Sequence, residues 1–134
     1  MTPITRRTLI ASGVAATAVA GFGAIPAVVS AAAPQGSPAL FVFDARFARS
    51  MALAQNHRAS GATLLDPRKA DLGIAWRGQI AALLQQRRRI EGLTMWSDRL
   101  ISEIFARDSG VAFHAMELSA GDGTAARLHH WWLA

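Results

Sequence analysis

Three aspartates stand where short apolar runs end. Leu40-Phe41-Val42-Phe43 gives way to Asp44, Thr63-Leu64-Leu65 to Asp66, and the run from Ile90 to Met95 to a turn carrying Ser97 and Asp98. Apolar runs this short, with aromatic and β-branched members, read as buried strands rather than helices. Carboxylates gathered at the carboxyl ends of neighbouring strands suit two kinds of chemistry. They bind a hard divalent cation such as Mg²⁺, or one of them handles a proton while its neighbour's charge raises its pKa. Asp44, Asp66 and Asp98 are therefore the candidate catalytic residues. The structural alternative is that each caps the turn or helix that follows it, with Asp44 paired to Arg46.

Histidines supply a second candidate. Val111 to Leu118 and Ala125 to Leu133 are strand-length runs on either side of Ser119 to Thr124, and Asp122-Gly123 is a favoured two-residue hairpin turn. That turn sets Phe113 opposite Trp132, His114 opposite Trp131 and Met116 opposite His129. His114 and His129 then become diagonal neighbours on one face, within reach of a shared metal ion. No third ligand is evident, and aromatic cross-strand packing explains the hairpin equally well. His130 falls on the opposite face from His129, where a neutral, hydrogen-bonded imidazole is expected.

The positioning elements follow from the pattern between these residues. Phe47, Met51 and Ala54 mark a first helix that Gly61 stops. Trp76, Ile80, Leu83 and Leu84 share one face of a second, over Ala75 to Arg89, whose final Arg87-Arg88-Arg89 suits the negative end of the helix. Ser97 is placed to cap a third helix with an apolar face of Leu100, Ile101, Ile104 and Phe105, and Gly110 closes it. Strands alternating with helices predict an α/β domain: a small open sheet of about three parallel strands with crossover helices, ending in an antiparallel C-terminal β-hairpin. In such sheets ligands lie beyond the carboxyl ends of the strands. The chain has no Gly-x-Ser-x-Gly elbow and no phosphate loop, and Gly121-Asp122-Gly123 is too short for a dinucleotide fingerprint.

Ahead of the domain, Thr5-Arg6-Arg7-Thr8-Leu9-Ile10 precedes an uncharged run from Ala11 to Ala33. This stretch resembles a twin-arginine export signal, Ser/Thr-Arg-Arg-x-Phe-Leu-Lys, with Arg6 and Arg7 as the pair, Leu9 and Ile10 in the apolar slots, and a departure at Ala11. An ordinary secretory signal with two adjacent arginines is the competing reading, although the soft Ala, Gly, Val and Thr composition is typical of the twin-arginine type. Leu9 to Val29 is long enough for a membrane span, which needs ~20 apolar residues, but its small residues and Pro26 favour a cleaved peptide over a stable anchor. Cleavage is expected after Ala31; a cut after Ala33 also fits the small-x-small rule but would leave Pro34 first. The organisation is thus a signal over 1–31, a flexible lead-in over 32–38 and one domain over 39–134.

Composition narrows the function classes. The 134 residues include no cysteine, so lipoprotein attachment, disulfides, thiolate metal sites and iron-sulfur clusters within the chain are excluded. Without Arg6 and Arg7 there remain 12 basic and 9 acidic residues, too slight an excess to argue for nucleic acid. The resemblance implies a periplasmic or secreted protein that meets the twin-arginine translocase and crosses folded, holding a cofactor or riding with a larger periplasmic protein. No residue identifies the cofactor. Trp131, Trp132 and the Arg87 to Arg89 cluster are the anchor types such a partner surface would use. The expectation is a small exported binding or accessory protein; the alternative is a small, metal-dependent enzyme using the strand-end aspartates.

Overall fold

Leu40–Phe43, Thr63–Leu65 and Ile90–Thr94 form strands β1, β2 and β3 in a computed structural model that describes residues 35–134. The export signal and both cleavage positions lie outside the described residues. Helix α1 spans Ala48–Ala59. Helix α2 is composite, with α-helical turns at Leu72–Ala75 and Ala81–Gln85 around a wider π-helical turn at Trp76–Ile80. That wider turn contains Gly78, the residue with the poorest intrinsic hold on a helix interior after proline. Helix α3 spans Trp96–Asp108, and β4 (Phe113–Ser119) and β5 (Arg127–Leu133) make the hairpin.

The fold is mixed α/β, but its sheet has five strands in the order β2-β1-β3-β5-β4. β1 pairs in parallel with β2 and β3, while β5 pairs antiparallel with both β3 and β4. The expectation of a sheet of about three parallel strands is therefore corrected. The hairpin extends the sheet, because β5 carries Leu128, Trp131 and Leu133 into the core.

Alternation along the strands sends successive side chains to opposite faces, and each face has its own core. On one, Leu40, Val42, Ile90, Trp131 and Leu133 meet Leu72, Trp76 and Ile80 of α2 and Ala106 of α3. On the other, Phe41, Leu93 and Leu128 pack with Ala54 of α1. Burying a large aliphatic or aromatic side chain contributes roughly 1.5–3 kcal/mol. These two layers hold the strand ends in place.

The hairpin register also departs from expectation. The connection runs from Ala120 to Ala126, with Gly121 and Gly123 both at φ 79°, so it is longer than a two-residue Asp-Gly turn. His114 pairs with Trp132, Met116 with His130 and Glu117 with His129. His114 and His129 consequently leave the hairpin on opposite faces, which removes the geometric ground for a shared metal. α3 likewise begins two residues earlier than expected: Met95 occupies the N-cap without a side-chain cap, and Ser97 lies inside the first turn. α2 ends at Gln85, so Arg87 to Arg89 follow the helix, with Arg87 at φ 55°.

Candidate functional site

β1 has β2 on one side and β3 on the other, and the helices that leave β1 and β3 pack on different faces: α1 on one, α3 on the other. The carboxyl ends of β1 and β3 are thus a topological switch point, the place at which open α/β sheets take their ligands in a crevice between diverging loops. Asp44 closes β1, Asp66 closes β2, and Asp98 stands in the first turn of α3. The sequence placed all three at this edge, and the fold brings them into one electrostatic field.

Asp44 is the most enclosed, at 1% exposure. Its Oδ1 accepts from the Arg46 backbone N–H at 3.0 Å and from Arg46 Nε at 2.9 Å, and its Oδ2 accepts from the terminal guanidinium nitrogen at 2.6 Å. Burial by itself would raise the Asp44 pKa; the hydrogen bonds and charge of Arg46, with Arg68 beyond, outweigh it and hold the carboxyl below its usual range. The Asp44 backbone N–H donates to Ser50 Oγ at 2.9 Å, and that hydroxyl donates to the Leu93 carbonyl at 2.6 Å. One buried serine of α1 thus ties the end of β1 to β3.

Asp66 is buried and turned to its own chain. Its Oδ1 accepts from the Arg68 N–H at 2.9 Å, a turn-capping geometry. Asp98 behaves differently. Burial raises its pKa, the charges of Asp44 and Asp66 raise it further, and Arg46 opposes them. None of the hydrogen bonds among the described residues engages its carboxylate. Asp98 is therefore the member of the set whose neutral form the surroundings favour, while Arg46 favours the charged form of Asp44 and Asp66 is turned to the Arg68 backbone N–H. Trp96, two residues before Asp98, is 57% exposed.

Among the described residues, no group of three or more His, Asp or Glu side chains has a metal-binding arrangement. His114 stacks on Trp132 at 5.7 Å between ring centroids, and His129 stands opposite Glu117 in the hairpin and Thr94 in β3. Both hairpin tryptophans are buried, Trp131 at 0% and Trp132 at 5% exposure, so neither provides the partner-binding anchor expected of it.

A second polar cluster went unread in the sequence. Glu91 is buried in β3, its Oε2 3.2 Å from His130 Nε2 and its Oε1 2.6 Å from Arg89 Nε. The hydrogen-bonded state expected for His130 is met by this carboxylate. Arg89 faces inward to Glu91, whereas Arg87 and Arg88 are exposed, so Arg89 is set by this carboxylate rather than by a helix end. Only the strand order brings together residues 39 positions apart. A glutamate amid β3's apolar residues was the available signal, since buried charges need partners.

No membrane-spanning helix occurs among the described residues. Comparison with known proteins yields no match to a family model, a curated protein or a solved structure.

Proposed function

We propose that this chain is a small exported binding protein that takes a polar ligand into the crevice between the ends of β1 and β3. The observation that carries the reading is Asp98, a half-buried carboxyl with a raised pKa at a topological switch point, near Asp44, which is paired with Arg46, and Asp66, which accepts from the Arg68 backbone N–H. Asp98 offers a proton when neutral and a cation-binding oxygen when ionised. A ligand bearing an amine or another hydrogen-bonding group suits it. Export through the twin-arginine route to the periplasm belongs to the same proposal and rests on Arg6 and Arg7.

The same raised pKa favours an enzymatic alternative in which Asp98 transfers a proton and Asp44 and Asp66 tune it. For the accessory version of the binding reading, the surface to consider is exposed Trp96 with Ile101 on α3, since Trp131 and Trp132 lie in the interior. Native mass spectrometry of the full chain recovered from its own exported compartment separates these readings. The binding proposal expects a small-molecule adduct on the wild type that Asp98→Asn abolishes. A chain carrying only a second protein supports the accessory version, and a bare chain for both proteins contradicts ligand binding.

A further inference from the structure

Away from the switch point, at the amino ends of β1 and β3, two contacts converge on the exposed Gly36–Ser37 peptide bond and a third holds the carbonyl before it. Ser37 Oγ lies 3.3 Å from His57 Nδ1. The two terminal guanidinium nitrogens of Arg89 donate to the carbonyl oxygens of Gln35 and Gly36. Arg89 is itself fixed through Nε, 2.6 Å from Glu91 Oε1, and Glu91 is held in turn by His130. The His57 ring packs against Phe41 with centroids 4.7 Å apart, which orients it. Gly36 has φ 82°, a conformation that favours glycine.

A nucleophilic hydroxyl, an adjacent base and a cationic donor on the carbonyl are the three parts that acyl transfer requires. Here all three address the protein's own backbone. We propose that Gly36–Ser37 is a self-cleavage site, with Ser37 as nucleophile, His57 as general base and Arg89 as oxyanion donor. With its ring proton on Nε2, His57 takes the hydroxyl proton through Nδ1 as Ser37 Oγ attacks the Gly36 carbonyl carbon. The tetrahedral oxyanion forms at the Gly36 oxygen, against Arg89. Collapse breaks the C–N bond, and His57 returns the proton to the departing Ser37 nitrogen, which leaves Gly36 esterified to Ser37 Oγ. Water then hydrolyses the ester, giving a Gly36 carboxylate and a free N-terminal Ser37. No oxidant, metal or second protein takes part.

Two further features support this assignment. Burial pushes the His57 pKa down, with Arg89 and His130 adding to the effect and Glu91 opposing it, so the imidazole is a free base at neutral pH. Gln35, Gly36 and Ser37 are all exposed, which admits the hydrolytic water. Glu91 touches no reacting atom; it is a positioning residue for Arg89.

The test is incubation of the purified full chain at neutral pH, followed by intact-mass measurement. The proposal expects a product running from Ser37 to Ala134 to accumulate in a first-order, concentration-independent manner. Hydroxylamine should accelerate it and leave a hydroxamate on Gly36. Ser37→Ala, an exposed change that spares the core, should abolish the product with an unchanged circular dichroism spectrum. Ser37→Cys should retain cleavage and respond to added thiol. His57→Gln should slow the reaction by about 10²-fold or more, and Arg89→Lys by a comparable factor. A folded chain that stays intact both with and without hydroxylamine overturns the proposal. So does a Ser37→Ala chain cut at the same bond.

Discussion

The indole of Trp131 occupies the space that a β-carbon on Gly92 would need: a Cβ built there would stand 2.4 Å from Trp131 Cε2 and Cζ2. The two residues are register partners in the antiparallel pairing of β3 with β5. Trp131 Nε1 also donates to Thr94 Oγ1 at 3.1 Å, so one side chain spans the last three residues of β3. Through Thr94 it steadies the strand end from which the Asp98 turn departs. The missing side chain at Gly92 is thus what lets the hairpin close against β3 next to the strand end.

Gly92→Ala is accordingly an overpacking substitution. Trp131 is fully buried and has no open side to move toward, so the expected loss is at the upper end of, or beyond, the usual ~1–3 kcal/mol for an added methyl in a close-packed core. Urea unfolding of the two proteins measures it, and an unchanged midpoint would refute the packing account.

Arg46→Gln tests the Asp44 pair. Removing the guanidinium leaves an enclosed carboxylate short of its charged partner, which costs about 1–3 kcal/mol for an unsatisfied buried group. The pH dependence has a definite sign. Because the native Asp44 pKa lies below its unfolded value of 3.8, the pair's stabilisation is present above that value and is lost as pH falls through the native pKa. Wild-type stability should therefore decline in acid more steeply than that of Arg46→Gln, in denaturation series from neutral pH down to pH 2.

Much of this edge was legible beforehand because its signals are local. β1, β2 and β3 are bounded apolar runs, and Asp44 and Asp66 close two of them, so strand identity and carboxylate placement needed only neighbouring residues. What failed depended on distant pairing. The Asp122-Gly123 dipeptide suggests a tight turn, but Gly121 and Gly123 both adopt left-handed conformations in a wider loop, and one residue of slip sends His114 and His129 to opposite faces. The Glu91–His130 pair depends on β5 lying next to β3, a fact of topology that no spacing along the chain encodes. Ser97 lost the cap position to Met95 because helix ends are set by where the preceding strand releases the chain as much as by capping preference.

His57 should make the fold sensitive to mild acid. Its native pKa is depressed below 6.5, chiefly by burial, so the folded state binds fewer protons than the unfolded chain as pH falls past that value. Stability is expected to drop from about pH 6.5 downward through the native His57 pKa, in a range above the acid limb of Asp44. The charges facing the ring, Glu91, Arg89 and His130, are those to which the slope responds. His57→Gln should flatten this upper limb in thermal melts across pH while leaving the lower one in place. Persistence of the limb would assign it to another group.

The central claim is that the aspartates at this edge form one coupled site in which Asp98 holds its proton more tightly, and Asp44 less tightly, than an ordinary carboxyl. Carbon-detected NMR titration of the three side-chain carboxyls in the intact protein tests it most directly. The account predicts that Asp98 titrates above 3.8 and Asp44 below it, and that Asp66→Asn, by removing one repelling charge, moves Asp98 back toward its ordinary value. The raised Asp98 pKa also implies stability that is full below 3.8 and lost as pH rises through the native value, so Asp98→Asn should stabilise the fold at neutral pH and leave it unchanged near pH 3. An Asp98 carboxyl that titrates at or below 3.8, indifferent to Asp66, would contradict the coupled site and the proposed crevice function with it.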